Sequence, residues 1–280
     1  VVVSPNRNYQ WVPSNIWVGI GRMKSDEVFF PLEPLYKRKG IGYKQAKVIS
    51  FHPEGDATET KGFVTIEYIF GKNAGVQEKV NYDYLINATG PKLAFELTEG
   101  LNPGTNKAYS VCTYEHAAHA SEALLKLIGD IKTSDKKAKI LIGTGHAKAT
   151  CQGAAFEYIL NVEKELVRYG VRDKIELTWI SNENELGDFG MDGMLLTYGN
   201  QTLKSSELVE MVFADLGIKW ILGAGVFKID EGKAHYENLE GEYKEEDFDF
   251  AMLIPSFSGH GFKAFDKNEN DITDKLFKGF

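Results

Sequence analysis

Cysteine is nearly absent: Cys112 and Cys151 are the only two in 280 residues. Such sparse cysteine excludes a secreted disulfide framework and leaves buried bystanders or a redox pair. No C-x-x-C or H-E-x-x-H spacing occurs. The nearest approach to a metal set is Cys112, His116 and His119, at i, i+4 and i+7 of one predicted helix. That set needs a further ligand from another element, so no metal is expected. Basic runs are missing too, and the net charge of -8 makes nucleic acid an unsuitable partner. No apolar run approaches the ~18 residues that span a bilayer, and the first residues do not read as a signal peptide. What remains is enough chain for about two globular domains with ample core.

The stretch from Lys139 to Tyr158 organises the rest. An apolar β-type run, Lys139 to Ile142, leads into Gly143-Thr144-Gly145, and an amphipathic pattern then predicts a helix to about Tyr169. Strand, glycine turn and helix open a dinucleotide-binding βαβ unit, whose turn lets backbone N–H groups approach a pyrophosphate. This copy is altered. The third glycine of G-x-G-x-x-G falls at Lys148, whose side chain is expected to obstruct close helix–strand packing. Cys151 falls where the helix begins. A nucleotide cradle turned into a thiol site is one reading; a plain strand–helix turn with an incidental cysteine is the other.

Taken in order, the chain starts with the β-branched Val1-Val2-Val3 and the turn Ser4-Pro5-Asn6. An aromatic stretch, Tyr9 to Trp17, suits either core or a surface under a flat ring system. Leu32 to Lys39 predicts a short helix stopped at Gly40. Runs at Tyr43–Phe51, Phe63–Phe70, Val76–Val80 and Tyr84–Ala88 predict an antiparallel meander and a final strand, ending in Ala88-Thr89-Gly90-Pro91. The second half repeats this plan. It has strands at Lys139–Ile142 and Ile175–Ile180, a helix at Glu207–Leu216, and strands near Lys219–Ile229, Lys233–Leu239 and Phe248–Ile254. The fold class is therefore α/β, with two Rossmann-like domains of the FAD/NAD(P)-binding type, antiparallel meander crossovers, and an incomplete first domain. Its opening strand, turn and helix are missing, a piece of about 35 residues on the scale of a βα unit, so the chain reads as a fragment. The expected domains are 1–107, 108–260 with both cysteines, and 261–280 returning to the first.

Four side chains carry candidate chemistry. Cys151 at a helix N-terminus gains from the helix dipole and from unpaired N–H groups, which favour a thiolate. His146 and Lys148 add donors nearby. Glu157 lies six residues further along the same helix and is placed to move protons. Cys112 opens a second helix, Thr113 to Ile128, and His116 shares its face. For His119 a satisfied or solvent-facing histidine is the favoured reading, and for His116 it is the alternative to a chemical role.

These residues resemble the sulfide:quinone oxidoreductases of the flavoprotein disulfide reductase-like superfamily. The carrying motifs are Ser4-Pro-Asn, Tyr9-Gln-Trp-Val-Pro-Ser-Asn15, Trp17-Val-Gly and Ala88-Thr-Gly-Pro-Lys-Leu-Ala-Phe-Glu96. Ser110-Val-Cys-Thr-Tyr-Glu-His116, Cys151-Gln-Gly-Ala-Ala-Phe-Glu-Tyr158, Arg172-Asp-Lys-Ile and Met252-Leu-Ile-Pro-Ser-Phe257 complete the set. The two cysteine motifs together with the Ala88–Glu96 stretch are specific; each short piece alone is not.

The resemblance implies FAD, with Ser4, Pro5 and Asn6 at the adenosine ribose and Val48 bordering the adenine. It places Pro13, Ala88, Thr89, Gly90 and Pro91 toward the flavin end. It also implies that Cys151 pairs with a third cysteine downstream, that Cys112 handles growing polysulfide, and that His116 and Glu157 handle protons. Sulfide and quinone are the implied partners, with a homo-oligomer allowed. A C-terminal segment beyond Phe280 would hold the parent protein on the cytoplasmic membrane, while the fragment itself is expected to be soluble and inactive. Some members carry a histidine near Asp188, so that role is open here. Three alternatives stay in view: the flavin subunit of a flavocytochrome sulfide dehydrogenase, a flavin-dependent NAD(P)H dehydrogenase, and a non-catalytic thiol- or persulfide-binding module.

Overall fold

The computed structural model describes residues 1–105 and 107–277. The chain forms two compact units: Val1–Tyr9, Phe29–Lys92 and Ser258–Phe280 make the first, Gln10–Val28 and Leu93–Phe257 the second. Residues 10–28 and 93–105 thus belong with the second unit, because Ile16, Val18, Ile20 and Val28 are buried in its main core.

In the first unit, β1 (Val2–Ser4) pairs in parallel with β2 (Tyr43–His52). Helix α1 (Leu32–Arg38) lies between them in sequence. Strands β2, β3 (Phe63–Tyr68) and β4 (Gln77–Asn81) form the expected antiparallel meander. The short strand Lys263–Ala264 returns to the far end of β2. Ala46, Phe51, Val64, Ile66 and Ala264 make a small core, because alternate residues of these strands face one side. The predicted strand Tyr84–Ala88 is not formed: Tyr84 and Ile86 are 96% and 88% exposed. Its composition suits a strand, but a strand exists only where a neighbour accepts its hydrogen bonds, and among the described residues none is offered.

The second unit is the larger. Helix α2 (Tyr114–Lys132) starts at Thr113, whose hydroxyl accepts from the His116 N–H at 3.2 Å. Its apolar residues Ala117, Ala120, Leu124, Ile128 and Ile131 recur at helical spacing and are all buried. Then follow β5 (Ala138–Thr144), α3 (Gln152–Tyr169), β6 (Ile175–Ile180), α4 (Ser205–Leu216) and β7 (Ile218–Ile221). Helix α3 ends at Gly170, whose φ of 71° suits a left-handed helix stop. The predicted single run Lys219–Ile229 is instead two strands. The chain turns at Gly223, where φ is +61°, into β8 (Gly225–Asp230). It continues through β9 (Lys233–Glu237) and β10 (Tyr243–Asp247), the last unforeseen because its Glu- and Lys-rich sequence looks like a loop. The final strand is β11 (Phe250–Ile254).

The sheet order is β7-β6-β5-β11, all parallel. Helices cover one face and the β8-β9-β10 meander the other, so side chains of β5 alternate between two cores. Ile140 and Ile142 join Leu124, Ile159 and Val162, whereas Leu141 joins Val226, Ile229 and Phe248. A sheet buried on both faces needs near-continuous apolar strands, which is what Ile140-Leu141-Ile142 and Phe250–Ile254 supply. Trimming Leu141 to Ala at such a site costs about 2–5 kcal/mol.

Candidate functional site

Both cysteines lie in the second unit, each just before a helix. Cys151 precedes α3 with φ 72° and ψ 35°, the left-handed region that residues with a Cβ seldom adopt. It is exposed, and its side chain does not cap the helix. The turn before it is longer than a dinucleotide cradle, since β5 ends at Thr144 and α3 begins only at Gln152. Lys148 is therefore exposed in mid-turn and does not stand between helix and strand, contrary to the expectation. The turn is tied by its backbone to the chain around β11. The Gly145 N–H donates to Ile254 O at 2.8 Å, and Ala149 pairs with Ser256 beyond the end of β11. Thr98 Oγ1 donates to Gly145 O at 2.7 Å from the other side.

Cys112 is held from three directions. Tyr109 exchanges backbone hydrogen bonds with Ala251 and Leu253 of β11. The buried Asn15 donates from Nδ2 to Val111 O at 3.0 Å, and the Cys112 N–H donates to Ser110 Oγ at 3.1 Å. The short helix Asn15–Gly19 presses against the same segment: a Cβ at Gly19 would lie 2.8 Å from Val111 Cγ1 and 2.9 Å from the Tyr158 ring. The Ile16 and Val18 side of the aromatic stretch is therefore core, while Trp11 and Trp17 stay half exposed. Burial pushes the Cys112 thiol up to about 11; the Ser110 hydroxyl pulls the other way, and the charge of Cys151 adds to the rise. The fold thus brings two cysteines from distant sequence positions within electrostatic reach of each other.

His116, in the first turn of α2, stands edge-on to Phe95 with ring centroids 5.5 Å apart. Its Nδ1 is buried without a hydrogen-bond partner. Burial holds its pKa below the ordinary value; Glu115 opposes this and His119 adds to it. Glu157 is exposed on α3, opposite the core-facing Tyr158 and Ile159. His119 packs edge-on against Tyr109 at 5.2 Å. Asp188 caps a turn, its Oδ1 accepting from the N–H groups of Met191 and Asp192.

The candidate cofactor residues fall in both units. In the first, Ser4, Pro5 and Asn6 form the turn after β1, where Ser4 Oγ accepts from the Asn6 N–H at 3.2 Å and Asn6 O accepts from Tyr43 Oη at 2.5 Å. Val48 sits at a bulge in β2 and packs against the small core. Ala88, Thr89, Gly90 and Pro91 form an exposed loop in which Gly90 has φ +67°, and a Cβ at Gly90 would meet nothing within 4 Å. In the second unit, Pro13 opens a one-turn helix at Val12–Ser14. Ser110 and Asn15 were not singled out from sequence. Their signal was only their place inside the motifs, because a polar residue that serves a backbone carbonyl, as Asn15 does, or a backbone N–H, as Ser110 does, looks like any other until the fold supplies that group.

No family model matches the chain. The sulfide-quinone reductase of Aquifex aeolicus (strain VF5) is 31% identical over 258 residues, which is 92% of this chain and 52% of that protein. Its crystal structure superposes with a TM-score of 0.75, again over 92% of this chain and 52% of that one. This chain is similar to the sulfide:quinone oxidoreductases. The mitochondrial sulfide:quinone oxidoreductase of Dictyostelium discoideum is 24% identical over 93% of this chain and 50% of its own length. The chain therefore spans about half the length of the curated relatives it matches. The two Rossmann-like units with meander crossovers belong to the FAD/NAD(P)-binding type, and the first unit has no counterpart of β5 and α3 among the described residues.

Proposed function

We propose that this chain is the cysteine-bearing part of an FAD-dependent enzyme that oxidises sulfide to polysulfide or sulfur and passes the electrons to quinone. The observation that carries the reading is the convergence of Cys112 and Cys151, with Cys151 exposed on a turn that no longer resembles a nucleotide cradle. The residues present fit a flat dinucleotide cofactor. Ser4-Pro5-Asn6 closes the C-terminal end of a strand in a parallel pair, where open α/β sheets take their ligands, and Gly90 stands in open space. FAD, when bound, supplies two-electron acceptance from a thiolate and delivery to quinone.

The chain's own residues divide the remaining work. Hydrosulfide attacks an S–S bond in which Cys151 is one partner. One S–S bond forms, the other breaks, and its electron pair leaves as a thiolate. Exposure suits Cys151 to that exchange. Cys112, a thiol at neutral pH because of its burial, takes up sulfur only after losing its proton, when its thiolate attacks the S–S bond of a persulfide or polysulfide and the displaced sulfur leaves as a thiolate. His116 is neutral near pH 7 and has a free Nδ1 to receive such a proton, and the exposed Glu157 exchanges protons with solvent. Peripheral attachment to the cytoplasmic membrane goes with quinone as acceptor. Among the described residues no helix is long and apolar enough to cross a membrane.

A flavin-dependent NAD(P)H dehydrogenase is less well supported. The turn where a pyrophosphate would lie is tied through its backbone at Gly145 and Ala149 to Ile254 and Ser256, and is longer than a dinucleotide cradle. The adjoining cavity of about 710 Å³ is lined by His146, Asn182, Glu237 and Tyr243 but by no Lys or Arg. The test is anaerobic titration of the protein extended to the length of its relatives. Sulfide should bleach a bound flavin and quinone should restore it, whereas NADH and NADPH should leave it oxidised. A protein without flavin, or one bleached by NADH and not by sulfide, would overturn the proposal.

A further inference from the structure

The turn that presents Cys151 is fastened by one side chain from another strand. Asn182 follows β6, and its Nδ2 donates to Ala147 O at 2.9 Å and to Ala149 O at 3.0 Å. Its Oδ1 accepts from Gln152 Nε2 at 3.2 Å, and its own N–H donates to Thr144 Oγ1 at 3.0 Å. One residue therefore holds the end of β5, the middle of the turn and the first residue of α3. The amide orientation is forced, because the opposite one would set an oxygen against two carbonyls. Gln152 is 4% exposed, and its Oε1 has no partner. A buried glutamine left half satisfied is expensive, so the donor it gives Asn182 must be worth keeping. Cys151 lies between these anchors in the left-handed conformation, which surroundings must impose. In this left-handed position the thiol does not accept from the N–H groups of α3, as an extended N-cap side chain would.

We infer that Asn182, assisted by Gln152, is the positioning residue that locks Cys151 in its left-handed conformation and keeps its thiol turned out from the helix. The inference rests on the proposed role of Cys151 only for its significance. The geometry, and the test, concern the thiol itself and need neither flavin nor quinone. A failed test would therefore leave the proposed function standing, and an inactive enzyme would leave this inference standing.

The test is site-resolved alkylation of the 280-residue chain by iodoacetamide across pH, read by mass spectrometry of the two cysteine peptides. Titratable groups beside Cys151 are Cys112 from the segment before α2, and His146 and Lys148 in the turn; all are kept. In Asn182→Ala the turn is released, Cys151 relaxes onto the N–H groups of α3, and its alkylation midpoint falls by about half a pH unit. Cys112, in the same unit, reacts as in wild type; fast alkylation of both would signal an unfolded chain. Against that outcome stands Gln152→Met, which keeps the buried volume, removes an unsatisfied acceptor and deletes the amide's donations to Asn182 Oδ1 and Ala149 O, leaving the Asn182 bonds to the turn in place. It should lower the Cys151 midpoint in the same direction by a smaller amount. A midpoint that is unchanged or raised in Gln152→Met, or in a folded Asn182→Ala, overturns the inference.

Discussion

Cys112 and Cys151 stand in the same unit, each within two residues of a helix start, yet the fold treats them oppositely. Cys112 is wrapped by the Asn15–Gly19 helix, the Ser110 hydroxyl and the edge of β11, and its proton is held to about pH 11. Cys151 is exposed and turned outward by an unusual backbone conformation. Closeness to a helix N-terminus therefore does not by itself make a reactive thiol. Desolvation outweighs the dipole, because burial can move a pKa by several units, whereas a surface helix end contributes under about one.

The largest test of this contrast is functional. In the protein extended to the length of its relatives, Cys151→Ser should lower sulfide-dependent quinone reduction by more than roughly a hundredfold, with flavin content unchanged. Cys112→Ser should leave a measurable remainder, because a buried thiol that sheds its proton reluctantly fits sulfur storage better than the obligatory exchange. Equal loss in the two variants would erase the distinction. Wild-type turnover in Cys151→Ser would remove Cys151 from the chemistry altogether.

A smaller effect lies in stability at alkaline pH. The Cys112 thiol has its folded pKa raised from 9.0 to about 11, so the fold favours the protonated form. Its contribution is fully present below pH 9 and is lost as pH rises toward 11. Comparing urea midpoints of wild type and Cys112→Ser at pH 8, 9 and 10 cancels the tyrosines and lysines that titrate in both. The wild-type advantage should shrink steadily over that range. A constant difference would show that Cys112 is not desolvated as described.

Much of this architecture was legible in the residues, and the failures are instructive. The periodicities of α2, α3 and the β5–β6 pair fall where predicted because each buries its own apolar pattern against a neighbour. Tyr84–Ala88 has the composition of a strand, but pairing depends on what lies alongside, and composition cannot report that. Strand β10 failed in the opposite sense. Glu245 and Lys244 look like loop residues, yet β9 supplies the pairing, and Lys233 and His235 supply the charge partners for Glu245. Lys148 was misplaced because the glycine spacing was laid over a turn that contains extra residues. At the site, Cys112 and Cys151 were legible as residue types in motifs, but their convergence was not, since the two segments meet only through the order of strands around β5.

The finest test of the contrast uses His116, which belongs to the Cys112 side. Its ring is half-buried against Phe95, with Nδ1 partnerless, and burial holds its pKa below the ordinary 6.5. For a base so depressed, the fold favours the neutral ring. The stabilisation is therefore fully present above about pH 6.5 and is lost as pH falls through the folded value, where the buried ring must take a charge. His116→Gln keeps a polar side chain of similar reach without a titrating group, so its stability should fall less steeply than wild type between pH 7 and 5. The same substitution should leave Cys151 alkylation unaltered and shift only Cys112, the thiol four residues before it. If His116→Gln instead changes Cys151 and spares Cys112, the proton-handling group serves the exposed thiol, and the division of labour between the two cysteines has to be drawn the other way round.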